Sequence, residues 1–253
     1  MKTLLLTLTA LFILTGVNAQ KIELSVLAGP GLFHYSGKST TATSFILQGA
    51  SDQNSYTNNP YGNKNGFSYG GGLQAQLVSR GGFIIGLQAG YDVLRSKVDI
   101  NGVYPYQLQF ELQAPSYYAQ NQPLPAKGAS YLKNQLINIS PYIGYRVNGK
   151  KISIDLMPGL DIGFSTSAYD KGSATTTTDP ATTYKTNRQI TNVPTDVRLK
   201  FGAALNYNRY ALIASYAHGL TNYESRMIGD GAPVPSYEAH SELFKLGIGY
   251  RIN

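Results

Sequence analysis

Strict two-residue alternation of apolar and polar side chains, repeated in segment after segment, is the feature that most limits what this chain can become. Ile22, Leu24, Val26 and Ala28 share one phase against Glu23, Ser25 and Gly29. Phe67, Tyr69, Leu73, Ala75 and Leu77 stand in one phase against Ser68, Gln74 and Gln76. A period of two is that of a strand with unlike faces, not of a helix. The connections alternate as well. Tight turns at Ser79 to Gly82, Asn148-Gly149 and Asn206 to Arg209 follow every second strand, and long polar stretches of up to about 30 residues lie between.

The pattern predicts eight strands in four hairpins. The first covers Lys21 to Tyr35, and the second Phe67 to Ser79. The third carries Phe83, Ile85, Leu87, Ala89, Tyr91 and Val93 in phase. The fourth has Ile137, Ile139, Ile143, Tyr145 and Val147, and the fifth Ile152, Ile154, Leu156, Leu160, Ile162 and Phe164. The sixth holds Val197, Leu199, Phe201, Ala203 and Leu205, and the seventh runs from Tyr210 to Asn222. The eighth sets Phe244, Leu246, Ile248, Tyr250 and Ile252 against Lys245, Gly247, Gly249 and Arg251. Asn148-Gly149 is the strongest short hairpin signal, with both central positions expected at positive φ. Long loops are expected at about Asn101 to Ser130 and Thr166 to Pro194.

Residues 1–19 read as an export signal, with Lys2 as the positive region, Leu4 to Leu14 as the apolar run and Val17-Asn18-Ala19 as the cleavage site. Residues 20–253 then form one domain. The apolar run is too short to cross a bilayer as a helix, and nothing after it is longer. With no cysteine, lipid anchoring at a lipobox and disulfides are excluded. Twenty-seven glycines, 20 tyrosines and only 14% charged residues fit an all-β chain.

An exported chain of alternating strands fits an eight-stranded antiparallel up-and-down transmembrane β-barrel, with short periplasmic turns and long extracellular loops, in a bacterial outer membrane. The soluble rival, a lipocalin-like barrel, would keep its apolar face inside and usually carries a tryptophan near its first strand; this chain has none. Net charge is +7, one less once Lys2 leaves with the signal. This modest, scattered excess argues against nucleic acid and suits outer-membrane lipid and lipopolysaccharide.

With the apolar phase toward lipid, the inward phase includes Glu23, Asp92, Arg146, Asp155, Asp161, Arg198, Lys200, Lys245 and Arg251, nearly balanced in sign. Eight strands enclose only enough room for side chains, so these nine are expected as a paired polar plug; a proton or ion path is the alternative. In the long loops Tyr56, Tyr61, Tyr104, Tyr106, Tyr117, Tyr118, Tyr169, Tyr184 and Tyr237 are candidate contacts to a surface partner. Tyr131 and Tyr223, nearer the strands, are expected in an aromatic girdle.

Asp52, Asn54, Asn58 and Asn63 are a poor calcium loop, lacking its closing Glu. Gly70-Gly71-Gly72 lies within a strand, so close packing is favoured over a phosphate cradle. No cofactor is implied. A rim enzyme would need His34, His218 or His240 beside Ser36, Ser241 or Asp230, all near strand ends on the long-loop side.

Ile139-Ser140-Pro141-Tyr142-Ile143-Gly144-Tyr145, Leu156-Met157-Pro158-Gly159-Leu160-Asp161-Ile162-Gly163 and the ending Leu246-Gly247-Ile248-Gly249-Tyr250-Arg251-Ile252-Asn253 resemble the Bacteroidetes-type outer-membrane β-barrel domain family, also called PorT-like. The resemblance spans residues 20–253 and lies in alternation and glycine placement. Asn253 stands where barrel C-termini commonly have an aromatic residue. The resemblance implies an integral outer-membrane protein from a family whose members mostly lack a known activity. The expected function is a non-enzymatic barrel whose loops bind a surface partner or dock it into a larger membrane complex. A rim enzyme acting on lipid or peptide, and a narrow channel, remain open.

Overall fold

The computed structural model describes residues 21–106, 108–111, 114–117, 122–224 and 237–253, with no side chains described over 107–121. Residues 1–19, where the sequence leads one to expect an export signal, lie outside these residues, as do Asp230, Tyr118 and the side chain of Tyr117. Thirteen strands are present among the described residues: β1 (Lys21–Ser36), β2 (Thr43–Leu47), β3 (Tyr56–Thr57), β4 (Lys64–Val78), β5 (Phe83–Tyr104), β6 (Leu108–Glu111), β7 (Ala114–Tyr117), β8 (Leu124–Asn148), β9 (Ile152–Thr176), β10 (Thr183–Ile190), β11 (Asp196–Tyr207), β12 (Tyr210–Gly219) and β13 (His240–Arg251). None of those residues is helical.

Eight of the strands form a ring. In the order β1, β4, β5, β8, β9, β11, β12, β13 each pairs antiparallel with the next, and β13 returns to β1. Closure satisfies the backbone donors and acceptors that an open sheet would leave on its two edges.

The ring is apolar outside and polar inside. Leu24, Leu73, Leu87, Ile143, Leu156, Phe201, Leu212 and Ile248, one from each ring strand, are all exposed, Ile248 to 69%. Their neighbours in the opposite phase include Glu23, Gln74, Asp92, Arg146, Asp155 and Arg198, all buried. A lipocalin-like barrel has the reverse arrangement.

Sequence and structure part company beyond the apolar band. The stretches expected as long loops hold a good deal of sheet, because β5, β8 and β9 run for 22, 25 and 25 residues. Alternation continues there, with one slip on β9 where Leu136 pairs with Ser165 but Gln135 with Ser167, and the two faces exchange character. On β5 the outward residues are Phe83, Ile85, Leu87 and Tyr91. Beyond them Leu94, Val98 and Ile100 turn inward and are buried, while Arg95, Lys97 and Asp99 take the outward phase. Val93, placed by the sequence on the exposed apolar face, is only 3% exposed. The extension gains strands of its own: β10 pairs with β9, β2 runs parallel to β5, and β3 pairs with β2. Ile46, Val98, Ile100, Val103, Ala126 and Ala174 make its core. Asp170 tethers β3 by accepting from the Thr57 amide at 2.6 Å and the Ser130 hydroxyl at 2.6 Å. A platform with an ordinary apolar interior thus stands on a ring with an inverted one.

The turn at Asn148-Gly149 also differs from expectation. Neither residue has positive φ. Gly149 instead donates to the Ile152 carbonyl at 2.8 Å, leaving Lys150 and Lys151 at the centre. A turn centred on Asn148-Gly149 would set Arg146 opposite Lys151. The observed register sets it opposite Asp155, so a buried ion pair prevails over a local turn preference.

At the β11–β12 turn, where Tyr207 pairs with Tyr210, Asn208 does adopt a left-handed φ of 52°. Asn208→Val should cost about 1–2 kcal/mol, since a β-branched side chain resists that conformation. Asn208→Gly should be tolerated, and the midpoints of urea unfolding check both.

Candidate functional site

The inward phase brings the nine sequence-predicted charged residues to the ring interior in two groups. Near the short turns, the Arg146 guanidinium lies between two carboxylates. Its Nε and Nη2 donate to Asp155 at 2.6 and 2.8 Å, and its Nη1 and Nη2 to Glu23 at 3.0 and 2.8 Å. Arg251 reaches Glu23 at 3.0 Å, and the Gln76 amide donates to the same carboxylate at 2.8 Å. Further along, Arg198 pairs with Asp161 at 2.8 Å, Lys245 with Asp92 at 2.7 Å, and Lys200 donates to Gln88 at 2.7 Å. Gly70 makes room for this second group: a Cβ there would lie 1.8 Å from Asp92 Oδ1.

Asp196 belongs to the second group and was missed by the sequence reading. It is fully buried, 3.7 Å from Arg198, and accepts from Ser241 at 2.9 Å. It lies at the first residue of β11, ahead of the alternation that marks that strand, so periodicity gives no sign of it.

An apolar layer closes the interior toward the long loops. The inward residue next after Asp92 is Leu94, next after Asn138 is Leu136, and next beyond Lys245 is Leu243. These three join Phe33, Tyr35, Leu132 and Ala217 in one buried cluster. Above it opens a mouth of about 790 Å³ lined by Tyr35, Tyr61, Ile190, Tyr223 and Glu224. Burial, with the charge of Glu224 second, pushes the Tyr61 hydroxyl up to about 12, so it stays protonated. Burial also raises Glu224 above the usual carboxylate range. Tyr223, expected in an outer girdle, packs instead edge-on against Tyr35 with ring centroids 5.1 Å apart. It lies four residues beyond the end of β12 at Gly219, among the residues that line the mouth.

The three histidines converge, but on the outer wall at the long-loop rim. His218 on β12 and His34 on β1 both lie opposite Glu242 of β13. His240 stacks on His218 with centroids 6.4 Å apart. His218 Nδ1 lies 2.6 Å from Glu242 Oε1, which also accepts from Ser36 at 3.0 Å, and the Tyr216 hydroxyl donates to the other carboxylate oxygen. Ser36 thus gives its proton to the acid and not to an imidazole, which is not the order of a serine relay. Ser241 faces inward onto Asp196. Glu242 was not singled out from sequence, although it shares the phase of His240 and interrupts an otherwise apolar face.

No protein-family model matches the chain, and no curated protein matches it. Its likenesses are to solved structures. It is similar to Ail, the attachment invasion locus protein of Yersinia pestis, in complex with the heparin analogue sucrose octasulfate. That likeness has 14% identity over 92% of this chain and 99% of that one, with a TM-score of 0.34. It is also similar to the outer membrane protease OmpT from Escherichia coli, at 10% identity over 93% of this chain and 97% of that one, with a TM-score of 0.33. Likenesses this slight carry nothing about activity; one neighbour is named a protease and the other an attachment protein.

The loop tyrosines spread over the platform. Tyr56 on β3 lies under Arg188, 4.8 Å from its guanidinium carbon. Tyr61 packs against the apolar layer and Tyr184 against the platform core. Tyr104 meets Phe45 edge-on at 5.0 Å, and the Tyr106 backbone amide donates to Gln48 Oε1 at 2.9 Å. Tyr169 is covered by the Lys171 ammonium at 5.0 Å, and Tyr237 is 46% exposed beside the mouth. Among the described residues no group of three or more His, Asp or Glu side chains is placed to hold a metal ion.

Proposed function

We propose that the chain is an integral outer-membrane β-barrel of eight strands, resembling the PorT-like family, exported by the signal at residues 1–19. Its short turns face the periplasm and its platform stands outside the cell. The platform binds a surface partner or docks it into a larger outer-membrane complex, with no reaction catalysed. The observation that carries this reading is the reversal of polarity along β5, β8 and β9. An exposed apolar belt, running from Phe83 to Tyr91 on β5, ends where a conventionally packed sheet begins. In water such a belt would sacrifice about 25 cal/mol for every Å² left uncovered. Lipid covers it, and closure leaves no unpaired strand edge in the hydrocarbon.

The paired charges act as a plug inside the ring. The apolar layer of Phe33, Leu94, Leu136 and Leu243 above them weighs against the channel reading, because ions would have to cross a dry constriction. The Glu242 cluster favours a second reading, a lipid-directed enzyme at the rim, because three histidines gather there about one carboxylate.

The test is gentle detergent extraction of tagged protein with identification of what accompanies it. A stoichiometric partner that is lost on deleting residues 43–57, with the barrel still folded, is the expected result. Barrel recovered without a protein partner, together with lipid changes abolished by His218→Ala, would replace the docking reading with the enzymatic one.

A further inference from the structure

Cations on the outer wall gather on one side, immediately beyond the apolar belt. The last apolar row across three strands is Tyr91, Ile137 and Phe164, all exposed and aligned in register. Four residues further along β5, Arg95 faces Lys133, which in turn faces Tyr169. In the next outward row Lys64 faces Lys97, Lys97 faces Tyr131, and Tyr131 faces Lys171. Like charges set directly opposite in a sheet are destabilising. Asp99 relieves Lys64 and Lys97, pairing with both. Among the described residues no carboxylate pairs with Arg95, Lys133 or Lys171. Arg95 lies over the Tyr69 ring at 5.9 Å and Lys171 over Tyr169 at 5.0 Å. On the opposite wall, β1, β12 and β13 carry the Glu242 cluster at this level instead.

We propose that the outer face of β4, β5, β8 and β9 just beyond the belt binds the phosphate groups of an outer-leaflet glycolipid. This rests on the membrane reading above. Four residues of strand rise by about 13 Å, or about 10 Å of height at the tilt usual for such barrels, which reaches the headgroup layer. Acyl chains then lie against Tyr91, Ile137 and Phe164, while the phosphates meet three cations that no carboxylate among the described residues neutralises. The tyrosines between the cations offer flat apolar flanks and hydroxyl donors at the same level. Two observations favour lipid over a free anion: the cations adjoin the belt, and they are confined to one wall.

The test is native mass spectrometry of the folded full-length mature protein in detergent, titrated with phosphorylated lipid A and, separately, with the same lipid dephosphorylated. Heat-modifiable mobility confirms that each variant is folded. Each cation near an anionic headgroup contributes about fivefold in affinity, so R95Q/K133Q/K171Q should bind phosphorylated lipid A about a hundredfold more weakly than wild type. It should lose nothing toward the dephosphorylated lipid. K150Q/K151Q, at the short-turn rim, should bind as wild type does. Equal binding of phosphorylated lipid by the triple variant and wild type would overturn the proposal. So would inorganic phosphate alone competing as strongly as the lipid, which would make this a free-anion site. Wild type that never enters lipid vesicles would sink the membrane reading itself, whereas wild type that inserts but is indifferent to phosphate would sink only this inference.

Discussion

Arg146→Ala should destabilise the folded chain by about 3–5 kcal/mol, the usual cost of removing one partner from a buried ion pair. The guanidinium meets Asp155 through two hydrogen bonds and Glu23 through two more. After its removal Glu23 keeps Arg251 at 3.0 Å and Lys21 at 3.4 Å. Asp155, 1% exposed, keeps no cation among the described residues. The loss should therefore fall mainly on Asp155. Arg146→Lys should cost less, since it retains the charge, but it cannot span both carboxylates with a planar fork. The temperature at which heat-modifiable mobility is lost in detergent ranks the variants. A cost below about 1 kcal/mol for Arg146→Ala would mean that water reaches this group freely and that the plug is open.

Leu87→Arg should cost about 2–4 kcal/mol in a bilayer, the range found for a basic residue on the lipid face at mid-depth. Leu87 is the middle outward residue of the apolar stretch of β5 and is 47% exposed. In a water-soluble barrel an arginine at such an exposed site would be almost neutral. Tyr131→Arg, beyond the belt between Lys97 and Lys171, should cost no more than about 1 kcal/mol. Urea unfolding in lipid vesicles, followed by tyrosine emission because the chain has no tryptophan, gives both values. The contrast between the two sites carries the information, since both are exposed on the same wall at different depths.

Alternation makes the belt legible because one simple rule, a two-residue period with one apolar face, governs all eight ring strands. The platform is hidden by the same rule. A reading keyed to outward apolar residues ends β5 near Val93, where the apolar set crosses to the inner phase at Leu94, Val98 and Ile100. Register is the other property that one sequence conceals. The inward phase names Glu23, Arg146 and Asp155 individually, but their convergence on one guanidinium depends on a turn centred at Lys150-Lys151, two residues beyond the dipeptide with the strongest local signal. Convergence of His34, His218 and His240 around Glu242 likewise requires knowing that β13 lies between β1 and β12. Their chemistry is visible in the sequence, and their neighbourhood is not.

Whether the apolar outer face of the ring lies in lipid is read from the depth of single residues. The chain has no cysteine, so single cysteines can be placed without background at Leu87, Ile143 and Ile248 in the belt, at Lys133 and Lys185 on the platform, and at Lys150 in a short turn. Each variant is reconstituted in vesicles, spin-labelled, and probed for collisions with oxygen and with a water-soluble nickel chelate. Oxygen-dominated collisions are expected at the three belt positions and chelate-dominated collisions at the other three. Chelate access at Ile143 and Ile248 equal to that at Lys133 would contradict that placement in lipid.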